Sequence, residues 1–392
     1  MGGRIMTTPR VAIVFRGIGD IGGTNNTIAD HAREFTRRGY AVDLIGEKVH
    51  KGGVTADMGR AVRIRRLPIA KRWRWRWFAR QADRLITANN YAFVAGHGHA
   101  TRQTVLSMHN CLHAAHESIT GRPLEPIGSL AEIHDAVFSA DRFSVCICNS
   151  RLMQADLSQR YGTVIERLPI VYPGYRAEQF NRAQKPDYRD ALREKLGAAD
   201  ETLIGLATSG DFKKRGLDLL IEAYARLSPA CRARSRLLVM GKPSGSKPFV
   251  EQARSAGVAD RLHFIGATRE PERYFHALDI CVHPARFEEF GQTVQEAMAC
   301  GVPVIASKRV GAMEQLPPAW YDALPETPDV AALVTQLTDL IHSADRRVAL
   351  ADVGHTAVVA NTRQANAQAT FNLYREAGLP VPPAGHEARV AN

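Results

Sequence analysis

One local grammar occurs twice in this chain, and it restricts the fold more than any other feature. Val11-Ala-Ile-Val-Phe15 is a short apolar run. After it come the glycine loop Arg16-Gly-Ile-Gly-Asp-Ile-Gly-Gly23, a helical pattern through Arg38, a stop at Gly39 and a second apolar run from Ala41 to Ile45. The same order returns at Leu203-Ile-Gly-Leu-Ala207, with a loop over 208–216, a helical pattern from Leu217 to Leu227 and the run Arg236-Leu-Leu-Val-Met240 before Gly241. Strand, glycine loop, helix, strand is a βαβ unit, which belongs on a parallel sheet. Further strand-like runs lie at 105–109, 145–149, 170–172, 263–265, 280–283 and 303–306. The expected class is α/β: two doubly wound Rossmann-like domains facing across a cleft lined by the carboxyl ends of both sheets. A chain of 392 residues suits two cores of that size. The expected divisions are 1–172, 173–360 with a hinge near Pro173-Gly174, and 361–392 as a C-terminal helix and tail.

The most informative stretch is Phe287-Glu288-Glu289-Phe290-Gly291-Gln292-Thr293-Val294-Gln295-Glu296, continuing Ala-Met-Ala-Cys-Gly-Val-Pro-Val-Ile305. Glu288 precedes a glycine turn, and Glu296 falls about two turns into the helix that follows. Between them Gly291, Gln292 and Thr293 present backbone N–H groups at a helix N-terminus, where anions are favoured. At 1.5 Å rise per residue the carboxylates flank that anion site roughly 10 Å apart. A ligand with hydroxyls at both ends and phosphates in the middle fits this layout, and nucleotide-sugars have that shape. A second anion-seeking element is the loop Asp211-Phe-Lys-Lys-Arg-Gly216: Lys213, Lys214 and Arg215 converge just before a helix start.

From His283-Pro284 through Ala306-Ser307 the chain resembles the E-x7-E signature of retaining glycosyltransferase family 4. The resemblance implies the two-Rossmann, GT-B type fold. It also implies a contact of Glu288 with the donor sugar near its reacting carbon, a hold of Glu296 on the ribose hydroxyls, and diphosphate binding by Gly291, Gln292 and Thr293. The loop Asp211–Asp218 looks most like lipopolysaccharide-core glucosyltransferases, which carry Asp-Phe-x-Arg-Lys-Gly. Here the order is Lys214-Arg215-Gly216, which leaves open which cation meets which phosphate. In the family Gly22 and Gly23 take the place of a Gly-Gly that touches donor phosphates or acceptor. His109, in Ser107-Met-His-Asn110, takes that of a histidine on the transferred sugar. A helical stretch such as 348–377 returns in such proteins to brace the N-terminal domain. Retention is explained there by front-face attack, the departing phosphate taking the acceptor's proton.

The same stretch of chain admits other readings. Gly17-x-Gly19-x-x-Gly22 is formally a dinucleotide fingerprint, with Asp43 or, better placed, Glu47 as its ribose acid. His97-Gly-His99 and His113-x-x-His116 lack a matching carboxylate pattern, so no metal is expected, and no Asp-x-Asp handle is present. The six cysteines, at 111, 146, 148, 231, 281 and 300, show no paired framework and read as buried reduced thiols. No apolar run approaches the ~18 residues that span a bilayer. Residues 1–10 lack a secretory pattern and read as a lead-in to the first strand.

The net charge of +11 is concentrated: Arg60 to Arg84 holds ten basic residues against Asp83 alone. Within it, Arg72-Trp73-Arg74-Trp75-Arg76-Trp77 alternates cation and indole, suggesting an aromatic face for a headgroup layer and a basic face for its phosphates. Nucleic acid would also accept interleaved Arg and Trp but is the less expected partner. The expected activity is therefore retaining, metal-independent transfer from a nucleoside-diphosphate sugar, UDP-linked, to a lipopolysaccharide-core or similar envelope acceptor. The expected location is the cytoplasmic membrane face, with no cofactor beyond the donor. The alternatives are a two-Rossmann nucleotide-sugar epimerase and a non-enzymatic anion- or nucleic-acid-binding protein on a transferase scaffold.

Overall fold

The computed structural model describes residues 8–19, 22–50, 52–208, 210–242 and 244–381. The lead-in over 1–7, Asp20 and Ile21 of the first glycine loop, Ser209 of the second, and the tail from 382 lie outside the described residues. The chain forms two compact units: Met1–His113 with Pro123–Pro173 and Arg363–Asn392, and Ala114–Arg122 with Gly174–Thr362.

The first unit is built on six strands: β1 (Arg10–Val14), β2 (Ala41–Gly46), β3 (Arg60–Arg63), β4 (Phe93–Gly96), β5 (Val105–Ser107) and β6 (Val145–Ile147). They lie in the order β3-β2-β1-β4-β5-β6, every pair parallel. Val11 to Val14 are wholly buried, as a central strand covered on both faces demands. The order reverses between β1 and β4, the point where doubly wound sheets open a binding crevice. Helix α1 (Gly23–Arg37) buries Ile28, His31, Ala32 and Phe35, one face at helical spacing. Phe35 stacks on Tyr374 and meets Phe371, both from the helix Arg363–Glu376. Helix α2 (Lys71–Asn89) forms the crossover between β3 and β4.

The second unit repeats the plan with β7 (Thr202–Ala207), β8 (Ser235–Met240), β9 (Leu262–Gly266), β10 (Ile280–His283) and β11 (Val304–Ala306), in the order β9-β8-β7-β10-β11 and again all parallel. Helix α3 (Leu217–Ala225) follows β7, and α4 (Gln292–Ala299) follows β10. Each packs apolar residues on the sheet: Leu217, Leu220, Ile221 and Tyr224 from α3, and Val294, Ala297 and Met298 from α4.

Three expectations about elements are corrected. The run 170–172 is not a strand but a single bridge, Cys148 to Ile170. It is hemmed by Pro169 and Pro173, which have no N–H to donate. The stretch 348–377 is two helices, Ala344–Val358 and Arg363–Glu376. The chain leaves the first to bridge Tyr175 at Thr362, where Tyr175 N–H donates to Asn361 O at 3.3 Å. Gly17–Ile18 pairs with Lys48–Val49, so the first glycine loop does not lead straight from strand to helix as a dinucleotide fingerprint requires.

Candidate active site

The basic loop follows β7 and the acidic turn follows β10, adjacent strands at the reversal point of the second sheet. Two glycines let the turns approach. Gly216 has φ +73°, and a Cβ on it would lie 1.9 Å from Pro284 O; no other residue fits there. Gly291, at φ +95°, caps α4. The loop is anchored by Phe212, buried edge-on to Phe249 and Phe264, and by Lys214 N–H donating to Asp211 Oδ1 at 3.0 Å.

The side chains then interlock. Lys214 Nζ donates to both Glu289 oxygens, at 2.7 and 3.0 Å. Arg215 Nη1 lies 2.5 Å from Glu288 Oε2, a close charge contact not aligned as a hydrogen bond, since that N–H finds no aligned acceptor. Arg286 grips Asp218 through both nitrogens, at 2.7 and 2.8 Å, and also donates to Lys213 O at 2.7 Å. Lys213 pairs with the same Asp218. Arg286 and Asp218 thus tie the two turns together through a bidentate, charge-assisted contact.

Glu288 and Glu289 are 7% and 4% exposed. Burial pushes the Glu288 carboxyl up, but Arg215, the His283 hydrogen bond and Lys214 outweigh it, and its pKa lies below the ordinary carboxylate value. An ionised carboxylate only accepts, so the 3.3 Å contact is donated by His283 Nε2–H. Burial holds His283 below its ordinary pKa, hence neutral at pH 7. The Glu288 backbone is fixed as well: its N–H donates to Arg309 O at 2.8 Å, and its carbonyl accepts from Gly311 N–H at 3.1 Å. Beyond it, Thr293 Oγ1 donates to Ala207 O at 3.3 Å and Gln292 Nε2 to Gly174 O at 3.3 Å. That seats the first turn of α4 against the end of β7. Glu296 is half-buried one turn further on.

The structure therefore gathers Glu288, Lys213, Lys214, Arg215, Gly291, Gln292 and Thr293 in the two turns that follow the adjacent strands β7 and β10. Glu289, Asp218, Arg286 and His283 join these residues without being singled out by any motif along the chain. His283 closes the strand that leads into the motif, which was a usable signal; Asp218 and Arg286 become partners only through tertiary structure.

In the first unit, Gly22 is the N-cap of α1, at φ 155° and ψ 157°, and a Cβ there would meet nothing within 4 Å. Its glycine is not explained by packing. His109 follows β5 by two residues and contacts His97, Nε2 to Nδ1, at 2.8 Å. Burial lowers its pKa to about 3. Glu47 is buried and bound to Arg16 at 2.8 Å, and Asp43 is held by Arg10, Arg60 and Tyr91. Neither acid is placed to read a ribose. His113 bonds Asp135 at 2.9 Å, and among the described residues no group of three or more His, Cys, Asp or Glu is arranged to hold a metal ion.

Residues 21–179 match the family described as Glycosyltransferase Family 4, and residues 188–355 that described as Glycosyl transferases group 1. The chain is a glycosyltransferase that carries a family 4 domain and a group 1 domain. A D-inositol 3-phosphate glycosyltransferase of Geodermatophilus obscurus is 27% identical over 334 residues, 74% of this chain and 71% of that protein. The lipopolysaccharide glucosyltransferase WaaG of Escherichia coli (strain K12) is 31% identical over 157 residues, but that match spans only 42% of its length and 40% of this chain. Among solved structures, Anabaena Alr3699/HepE in complex with UDP and glucose superposes with a TM-score of 0.74 at 20% identity, covering 94% of this chain and all of that one. The glycosyltransferase thus has the GT-B fold, its two Rossmann-like domains being the two units above.

The Arg-Trp stretch of this glycosyltransferase departs from the expected two-faced ribbon. Residues 72–77 lie in the helix α2, where residues two apart are turned by about 200°, so Trp75 faces away from Trp73 and Trp77. Trp73 is 46% exposed, between the Arg72 and Arg76 guanidinium groups. Trp75 is half-buried, under Arg16 at 4.4 Å and beside His99. Trp77 Nε1 donates to Arg65 O at 3.2 Å, and Arg74 Nε to Ile69 O at 3.1 Å. Arg76 pairs with Glu132. No helix among the described residues is long and apolar enough to cross a membrane.

Proposed function

We propose that this glycosyltransferase is a retaining, metal-independent hexosyltransferase. It takes a sugar from a nucleoside-diphosphate donor, UDP-linked, to an anionic envelope glycan or lipid-linked acceptor of the lipopolysaccharide-core kind, at the cytoplasmic membrane face. One observation carries the reading: just before the start of α4, Arg215 meets the ionised Glu288 and Lys214 meets Glu289 beside it, while Lys213 pairs with Asp218 in the same basic loop.

The chemical difficulty is charge separation. As the bond from the anomeric carbon to the diphosphate oxygen breaks, the sugar becomes cationic and the leaving group anionic. Fixed cations and helix N–H groups aimed at the leaving group lower that barrier without reorganising. Lys214 and Arg215 supply the cations, Gln292 and Thr293 the helix N–H groups, and Glu296 the ribose contact. Glu288, anionic at neutral pH, faces the developing positive charge. The acceptor hydroxyl attacks from the side the diphosphate leaves, and its proton passes to a departing phosphate oxygen. Gly22, Gly23 and His109 serve the sugar and acceptor.

UDP is favoured as the donor's nucleotide because HepE binds UDP and glucose. The envelope acceptor rests on the WaaG likeness, and the D-inositol 3-phosphate glycosyltransferase of Geodermatophilus obscurus favours a second reading, a phosphorylated cyclitol. Both acceptors are anionic, as the basic surface of α2 invites. Calorimetry with UDP, GDP and ADP, beside a Glu296→Ala variant, tests the donor site. Micromolar binding of one nucleotide, weakened by the variant, is expected; no binding to folded protein sinks the reading. NMR of the product's anomeric proton tests retention.

A further inference from the structure

His97 is a buried group that the proposed mechanism leaves unused. It is the residue after β4, and its N–H donates to Val14 O at 3.1 Å, so its backbone is pinned across the reversal point of the first sheet. The pairing of β4 with β5, Gly96 opposite Leu106, carries it to His109. The two rings are within 12° of parallel, centroids 5.1 Å apart, with His97 Nδ1 at 2.8 Å from His109 Nε2. Phe15 stands edge-on to His97 at 6.2 Å and His31 lies 6.4 Å away. The other ring nitrogen, His97 Nε2, is buried with no hydrogen-bond partner among the described residues.

We infer that His97 is a positioning residue that fixes the tautomer of His109, so that His109 presents an Nδ1–H donor to the sugar. This rests on the reading of His109 as a sugar contact. Burial holds both imidazoles below their ordinary pKa, so each is neutral and carries one hydrogen. Two arrangements satisfy the 2.8 Å contact. If His109 donates from Nε2, the hydrogen of His97 must sit on its own Nε2, a buried N–H without an acceptor. If His97 donates from Nδ1, its Nε2 is a bare nitrogen instead. An orphaned buried N–H is the rarer and costlier state, so the second arrangement prevails. The neighbouring His99 is fixed in the same manner: its Nδ1 accepts the Arg16 N–H at 2.9 Å, which puts its hydrogen on Nε2.

The consequence is chemical. With Nε2 occupied and Nδ1 protonated, His109 can donate to a sugar oxygen but has no free lone pair with which to take a proton. The acceptor's proton then goes to the departing diphosphate, as front-face attack requires.

Long-range 1H–15N NMR of the histidine-labelled full chain is the direct test. The His109 ring should show a protonated Nδ1 and a bare Nε2. In His97→Leu that signature should collapse to a mixture or invert, and in His97→Asn, whose amide keeps an N–H near the Nδ1 position, it should persist. With UDP-glucose as probe and water taking the glucosyl group as UDP leaves, His97→Leu should lower kcat about tenfold, the loss of one neutral hydrogen bond's worth of orientation, with KM and UDP binding unchanged; His97→Asn should restore most of it. A protonated Nε2 on His109 in the native protein, or an unchanged tautomer in His97→Leu, overturns the inference. His109→Ala separates the two claims: if it leaves UDP-glucose turnover intact, the sugar-contact reading fails, whatever the tautomer.

Discussion

Arg215 reaches Glu288 from the neighbouring turn, guanidinium to carboxylate at 2.5 Å, so the cation proposed for the diphosphate and the carboxylate proposed for the sugar are held by each other. Their backbones are fixed by different strands, which makes the pair a measure of how the turns after β7 and β10 are coupled. Arg215→Met leaves Glu288 a buried carboxylate with less compensation, and the expected cost is about 3 kcal/mol in urea unfolding. Glu288→Gln added to it should recover most of that loss without recovering turnover. If Arg215→Met unfolds like the native chain, the charges are not coupled as the geometry says.

Gly216 makes the close approach possible. Alanine there must hold φ +73° and bring a Cβ to 1.9 Å from Pro284 O, a backbone atom that cannot swing aside. Left-handed strain and overpacking together predict a fall of about 10 °C in Tm. Gly210→Ala, where an added Cβ meets nothing within 4 Å, is the matched control and should be silent. Equal melting of the two variants would show that the loops can part without loss.

Much of this architecture could be read from the chain because it is local. Val11–Val14 and Leu203–Ala207 announce buried parallel strands, and the glycines after them announce the turns. Glu288, Glu296 and the run Lys213–Arg215 were legible for the same reason: each is a pattern along the chain. What escaped is what depends on partners. Arg286 and Asp218 meet across 68 positions. Arg60–Arg63 looked like part of a charge cluster, yet it is an edge strand, where charge is tolerated because one side has no neighbour. The Arg-Trp stretch has a period of two, which suits a strand. Parallel β3 and β4 cannot be joined without a crossover, though, and the helix that supplies it overrides the local pattern.

The first unit should lose stability in mild acid. Burial lowers His31 and His134 to about 4 and His109 to about 3, against 6.5 in an unfolded chain. Between those values the unfolded state binds protons that the folded state refuses, so stability rises with pH across the window and is lost as pH falls below about 6.5. Each group contributes a slope of about 1.4 kcal/mol per pH unit until its folded pKa is reached. Urea unfolding followed from pH 7 to pH 5 should show the midpoint falling steadily, and His134→Gln should flatten the slope. A midpoint independent of pH in that range would mean that these rings take up protons without unfolding.

The exposed start of α2 gives the last expectation. Trp73 and Ile127 are 46% and 74% exposed. The residues beside them in the chain meet: Gly128 packs on Arg72, where an added Cβ would stand 2.6 Å from the Arg72 Cβ. Arg65, Arg66, Arg72 and Arg80 are exposed on or just before the same helix. Two apolar side chains within a basic field suit insertion into an anionic headgroup layer, each arginine adding about 1 kcal/mol at low salt. Sedimentation with vesicles of mixed anionic and zwitterionic lipid should pull the protein down, and purely zwitterionic vesicles should not. Raising salt to 0.5 M should release it, since a Debye length of only a few ångströms then screens the arginines. The double variant Trp73→Ser, Ile127→Ser should bind several-fold more weakly while keeping its salt dependence. Binding that is indifferent to lipid charge would remove the arginines from the account, and an unaffected double variant would remove the two apolar residues.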